Sequence, residues 1–284
     1  MRYCQIYFCL FILTLKISSS FSQEIFIEGF KTDTLEKDFL DKCVLRVYYD
    51  TFIKLDTLDK NNKRGITMLQ IGERTCKFVD FFQHYTDSLR DEIARIKGRQ
   101  VIPTEVVGFQ YSLFSKIVFR NQVFRDYSSS GGCNVVRLGS ELGEFYSYQE
   151  SRLEFHWDTS FEEEKILAGY KCRKAVCVYR GRVYTAWFSP DLSYRLGPYV
   201  FGGLPGLILE IGDAEGEFIF SLRAIIPGRG REDPIFWVRS SYETFMDKEQ
   251  AWRQIVERHR NILFEIDEGK FLKEEIPYNP IERY

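Results

Sequence analysis

The chain has 284 residues, with 39 Lys and Arg against 41 Asp and Glu and a formal charge of −2 at pH 7. That balance, without a basic cluster or a block of like charge, argues against a nucleic-acid surface and against a disordered charged tail. Phe (25) and Tyr (17) are abundant, which favours strands and a large buried surface.

Residues 1–23 read "MRYCQIYFCLFILTLKISSSFSQ", with Arg2 near the start, an apolar run over 6–15 and then a Ser-rich stretch. This is the order of a secretory signal peptide. It predicts a signal peptide over 1–22, export to the periplasm, outer membrane or medium, and a single domain over 23–284. The apolar run is too short to span a bilayer as a mature helix, and no later segment reaches membrane length. Neither Cys4 nor Cys9 has the small-residue context of lipoprotein acylation. Without Arg2 and Lys16 the mature chain holds 37 basic and 41 acidic residues, a charge near −4. Five cysteines remain: Cys43, Cys76, Cys133, Cys172 and Cys177. Export permits disulfides, but the odd count leaves at least one thiol unpaired. Along a strand Cys172 and Cys177 lie ~16 Å apart, too far to bridge each other.

In chain order, "EIFIEGF" (24–30) alternates as a first strand. "CVLRVYYDTFIKLDT" (43–57) and "ITMLQIG" (66–72) predict an antiparallel pair around "LDKNNKRG". Phe78, Phe82, Tyr85, Leu89, Ile93 and Ile96 are spaced for one face of a helix over about 75–97. The period then returns to two in "LFSKIVFR", "CNVVRLG", "EFYSYQE" and "RLEFHWD". Hairpins are predicted around Arg180-Gly181 and around "GDAEG". "PGRGREDP" (227–234) reads as a loop. A second helix is predicted from about Asp247, capped with Gln250, to about Arg260. The tail "PYNPIERY" (277–284) reads as extended or loosely attached. The order predicts an α+β fold: a curved, mostly antiparallel sheet or incomplete barrel, covered by one long and one shorter helix.

Candidate chemistry is sparse. Alternation in "EFHWD" puts Glu154, His156 and Asp158 on one strand face, a conceivable metal or acid–base cluster. The simpler reading is the solvent side of a strand whose other face carries Phe155 and Trp157, since a metal site needs three or four converging ligands. "GCN" at Cys133 lacks a nucleophile elbow, "FEEEK" reads as a solvated turn, and "PGRGRED" lacks the Lys-Ser/Thr of a phosphate loop. No catalytic residue, metal ligand or cofactor is assigned. "GGLPGLILE" (202–210) predicts a type II turn, with Pro205 fixing φ at its second position and Gly206 taking positive φ at its third. The strand that follows is apolar on both faces.

Residues 166–213 resemble the signature of the GLPGLI family, secreted proteins of Gram-negative bacteria. Gly203, Leu204, Pro205, Gly206, Leu207 and Ile208 spell its motif. "LAGYKCRKA", "TAWFSPDL", "GPYVFGGLPG", "LQIGERTCKF" and "YNPIE" extend the resemblance over nearly the whole mature chain. It implies export and carries over no catalytic residue. A weaker likeness to lipoprotein-carrier-like proteins implies an incomplete antiparallel barrel around a helical lid. These readings converge on a non-enzymatic cell-envelope protein. It is expected to hold a lipid, an acyl chain or an extended peptide in the concave sheet face, with Trp187, Phe188, Tyr199, Phe201 and Leu204 lining the site. The alternatives are a structural partner of an outer-membrane complex, docking through a sheet edge or the tail, and a metal-dependent enzyme around His156.

Overall fold

Alternation along residues 43–57 continues into the longest strand pair of the protein. A computed structural model describes residues 35–55, 62–97, 112–127, 132–141, 143–267 and 270–283. The signal-peptide pattern and the "EIFIEGF" strand lie outside them. β1 (Lys37–Lys54) buries Val47, Tyr49, Thr51 and Ile53 on one face. It pairs antiparallel with β2 (Asn62–Ile71), as the sequence predicts, and on its other side with the last long strand.

The helix predicted over 75–97 is half strand. β3 (Thr75–Asp80) pairs with β2, and α1 (Phe81–Lys97) starts only after Asp80. Phe78, read as the first helical contact, packs in the ladder and meets Phe119 and Phe220 edge-on. Asp80 is the hinge: one carboxylate oxygen accepts from the Phe82 amide at the helix start, and the other from Val118 and Phe119. Those last two amides would otherwise seek a ladder. "LFSKIVFR" is accordingly one helical turn at 112–114 and then extended chain outside the sheet.

β4 (Gln122–Asp126), β5 (Cys133–Gly139) and β6 (Phe145–Ser151) follow, then β7 (Glu164–Leu167) and the hairpin of β8 (Tyr170–Tyr179) and β9 (Arg182–Ser189). Arg180 and Gly181 both take positive φ, 47° and 72°, as the tight turn predicted there requires. β10 (Leu207–Asp213) and β11 (Phe218–Val238) form the second predicted hairpin. β12 (Glu243–Phe245) runs parallel to β6 at the far edge. α2 (Lys248–Arg260) begins as expected, with the Asp247 carboxylate accepting from the Gln250 amide at 2.9 Å. β13 (Ile262–Asp267) and β14 (Lys270–Glu274) make a separate two-stranded ribbon.

Twelve strands form one open sheet in the order β12-β6-β5-β4-β3-β2-β1-β11-β10-β9-β8-β7. The protein is thus β-rich with few helices, and every pairing but β12–β6 is antiparallel. "PGRGREDP" is not a loop. It lies inside β11, paired with β1 across irregular steps at Cys43 and Lys42. Those bulges absorb the extra residues and bend the ribbon. A Cβ on Gly228 would meet the Cys43 carbonyl oxygen at 2.3 Å, so only glycine lets the strands approach.

The tail is not loose either. Asn279 bonds to Lys54 and Glu217, the Ile281 side chain enters the core, and Glu282 is buried under Tyr179 and Tyr199. The tail closes the concave side between the β8–β9 hairpin and α2, so both wings of the sheet curl towards it.

α1 covers the opposite face. Phe81 packs on Tyr48, His84 stacks on Phe236, and Lys37 pairs with Asp91. Lys77 is sealed beneath α1, donating to the Phe236 carbonyl at 3.0 Å and facing the Phe124 and Phe236 rings. Burial pulls its ammonium down to about 7 from 10.5; Asp87 on α1 opposes that shift, while Arg137 on β5 and Lys37 on β1 add to it. His84 also faces Lys77, and burial keeps it neutral. Between those two values the unfolded chain binds more protons than the folded one, so stability rises with pH. We expect a gain of about 0.5–1 kcal/mol from pH 6.5 to 7.5, below the range in which the cysteines of the unfolded chain ionise. Urea midpoints across that window check it, and Lys77→Met is expected to flatten the profile.

Candidate functional site

The sheet register aligns a polar row that no single segment reveals. Cys76 on β3 pairs with Arg125 on β4, Arg125 with Asn134 on β5, and Asn134 with Glu150 on β6. Cross-strand partners share a face, so these side chains stand in one line, ~5 Å per step. Arg125, Asn134 and Glu150 line the floor of a groove of about 950 Å³. One wall is the corner chain Arg195–Gly203, and the other is residues 152–156.

The corner is built from close backbone approach. Gly203 takes φ +89° and bonds through its amide to the Arg195 carbonyl. Gly206 does not take the positive φ predicted for a type II turn. Its amide donates to the Leu204 carbonyl at 2.8 Å, closing a three-residue turn about Pro205, whose fixed negative φ suits the inverse γ form. The glycine is needed for another reason: a Cβ there would lie 2.2 Å from the Ser189 carbonyl oxygen. Leu207 and Ile208, the first residues of β10, then bond back to the Leu192 and Leu196 carbonyls. The Tyr49 hydroxyl donates to the Ile208 carbonyl from the middle of β1.

Arg125 clamps this corner. Its Nη1 donates to the Phe201 carbonyl at 2.8 Å and the Val200 carbonyl at 3.3 Å, and its Nη2 to Gly197 at 2.7 Å. Across the groove, residues 152–157 run extended but outside the sheet, so "RLEFHWD" is a strand only in its backbone shape. Arg152 donates its amide to the Gly132 carbonyl, and Asp158 bridges Val176. Between those anchors the backbone has no hydrogen-bonding partner among the described residues. Side chains alternate as predicted: Glu154, His156 and Asp158 are exposed, while Phe155 and Trp157 turn inward. The Trp157 indole donates to the Gly202 carbonyl at 2.9 Å and so ties this wall to the corner.

Phe188, Tyr199, Phe201 and Leu204 are at most 2 % exposed and fill the concave side themselves. Phe201 packs against Phe155, Tyr179 and Tyr184, and none of the four faces the groove. Trp187 lies on the outer face, under the Lys165 ammonium. Glu154 and His156 do line the groove, as does the half-buried free thiol of Cys133. Among the described residues no three His, Cys, Asp or Glu side chains converge on a metal position. The other four cysteines are buried and free, and burial pushes the Cys43 and Cys177 thiols up to about 12. Burial also raises the Glu150 carboxyl, against the pull of Lys248 at 2.6 Å. The arrangement offers donors, acceptors and an open backbone edge rather than a nucleophile with its base.

No family model matches the chain, and no curated protein matches it. Two solved structures of PNGF-II are similar to it, one in space group P21 and one in C2. The first has 13% identity over 78% of this chain with a TM-score of 0.44, the second 12% over 79% with the same score. In both cases the chain spans 35% of the length of that protein.

Proposed function

We propose that this is an exported, non-enzymatic binding module that holds an extended peptide in the groove beside the GGLPG corner. The observation carrying this reading is the run 153–157, whose backbone has no hydrogen-bonding partner among the described residues. An extended backbone with free amide and carbonyl groups is a template onto which a second strand adds, and pockets beside it read the side chains. The groove, of about 950 Å³, mixes charged with apolar lining, which suits a peptide better than an acyl chain. Export rests on the charge, apolar core and Ser-rich order of residues 1–23, and membership of the GLPGLI family on the quoted motifs. Among the described residues no helix is long and apolar enough to cross a membrane. Residues 279–282 are taken up inside the fold, which leaves a tail-mediated docking role without a free tail.

The test is hydrogen exchange of the full mature chain against an arrayed library of 12-residue peptides. A binding peptide is expected to slow exchange at 153–157 and to leave the β7 edge unchanged. Library-wide absence of protection at 153–157 would overturn the peptide reading.

A further inference from the structure

We infer that the groove selects an acidic peptide, whose carboxylate sits against Arg125. This rests on the peptide reading and adds its chemistry.

Buried cations need a compensating partner or must lose their charge. The protein treats four of them in three ways. Arg137 pairs with Glu243 at 2.8 Å, and Arg182 with Asp213 at 2.6 Å. Lys77, sealed in an apolar site, is shifted towards its neutral form. Arg125 has neither remedy. A guanidinium does not deprotonate in a protein, and its contacts among the described residues are neutral: three backbone carbonyls and the Cys76 thiol. Its Nε is buried and has no hydrogen-bond partner among the described residues. The residue is 6 % exposed, yet it lines the groove.

The chain also leaves a way in. Gly202 and Gly203 line the same groove, and a Cβ on Gly202 would stand 3.4 Å from Arg125 Nη1. The corner backbone therefore lies directly on the guanidinium, and no side chain of Gly202 or Gly203 stands between it and the groove. Arg152 and Arg195 are exposed along the two walls and add positive charge. The carboxylate two steps along the row, Glu150, is already committed through one oxygen to Lys248, while its Oε1 is buried and unpartnered. An incoming chain therefore meets an uncompensated cation and, ~10 Å away, a vacant acceptor. A peptide carrying a carboxylate and a backbone or side-chain N–H supplies both. A bare acyl chain supplies neither.

The carboxylate can come from an internal Glu or Asp side chain or from a free C-terminus. Three labelled peptides separate the sources, built on one sequence that protects 153–157: central Glu with an amidated end, central Gln with a free carboxylate, and central Gln with an amidated end. Fluorescence polarisation with the full mature chain is expected to show at least one acidic form binding about tenfold tighter than the neutral form. The tighter form identifies the source. Its advantage should shrink as NaCl rises from 0.05 to 0.5 M. Equal affinity of all three peptides overturns the carboxylate inference and leaves the peptide reading standing; loss of all binding overturns both. Because Arg125 also clamps the corner, its variants are read second. Arg195→Gln removes a wall charge together with its bond to the Gly203 carbonyl at 2.6 Å, so it is expected to weaken the acidic peptides more than the neutral one.

Discussion

A chain ending at Pro277 is expected to lose about 5–8 kcal/mol of stability and to fail to give a cooperative unfolding transition at 37 °C. The last residues are small in number but occupy the meeting point of the two wings. Ile281 is 2 % exposed within the core, and its removal forfeits about 2–3 kcal/mol of apolar burial. The hydroxyls of Tyr179 and Tyr199 donate to Glu282 Oε1 at 3.0 and 2.7 Å, and that of Tyr184 to the Ile281 carbonyl at 3.1 Å. Truncation leaves three buried donors without acceptors, each costing about 1–3 kcal/mol unless water reaches it. Lys248 loses the Glu282 carboxylate at 3.2 Å, and His259 loses the Tyr278 ring stacked at 4.1 Å. Set against a typical total of about 5–15 kcal/mol, this is most of the margin. Urea unfolding followed by tryptophan fluorescence checks it. Glu282→Ala, which keeps Ile281 in place, should cost about 3–5 kcal/mol. A truncated chain unfolding within 1 kcal/mol of the full one would show the tail to be dispensable.

The tail illustrates what the sequence made legible and what it hid. Elements whose signal is local were read correctly: the strand alternation of β1 and β2, both hairpins, and the Asp247 cap of α2. Failures came where a distant partner decides the local form. "PYNPIERY" has no periodicity because each of its residues serves a different neighbour, so pattern analysis finds nothing. "PGRGREDP" carries every mark of a loop, yet β1 is long enough to pair with it once bulges take up the surplus. Phe78 fits the helical spacing of Phe82 and Tyr85 by coincidence, since Asp80 stops the strand and starts the helix between them. The candidate site suffered most. Arg125, Asn134 and Glu150 lie in separate strands and become neighbours only through register, which no spacing rule supplies. The aromatic residues around the corner were conspicuous because they are large and apolar, and that same property makes them fill the concave side.

At the end of β9 and β10 away from the corner stands Arg182, and Arg182→Met is expected to cost about 3–5 kcal/mol at pH 7. Its side chain is fully buried, between Asp213 at 2.6 Å and Glu217 at 2.5 Å, with Nη2 donating to Asn279 and the Pro280 carbonyl. One guanidinium therefore joins the β8–β9 turn, the β10–β11 turn and the tail. Asp213 is also engaged elsewhere, accepting from the Glu217 and Phe218 amides. Burial alone would raise the Glu217 carboxyl, but hydrogen bonds from Asn279 and Arg182 hold it below its ordinary value. Methionine fills a similar volume but removes the charge and its hydrogen bonds, so two carboxylates are left in a buried site, and Glu217 keeps a cation only in Arg283 at 2.8 Å among the described residues. The Glu217 pKa then rises in the folded variant, since Arg182 is one of the groups that hold it down. A raised carboxylate gives stability that is present at low pH and lost as pH climbs, so the gap to the wild type should be wider at pH 7 than at pH 4.5. Adding Glu217→Gln to Arg182→Met removes one orphaned charge and should recover about 1–2 kcal/mol, a coupling that a double-mutant cycle reads directly. A pH-independent gap with no recovery would mean that Arg182 acts through packing rather than charge.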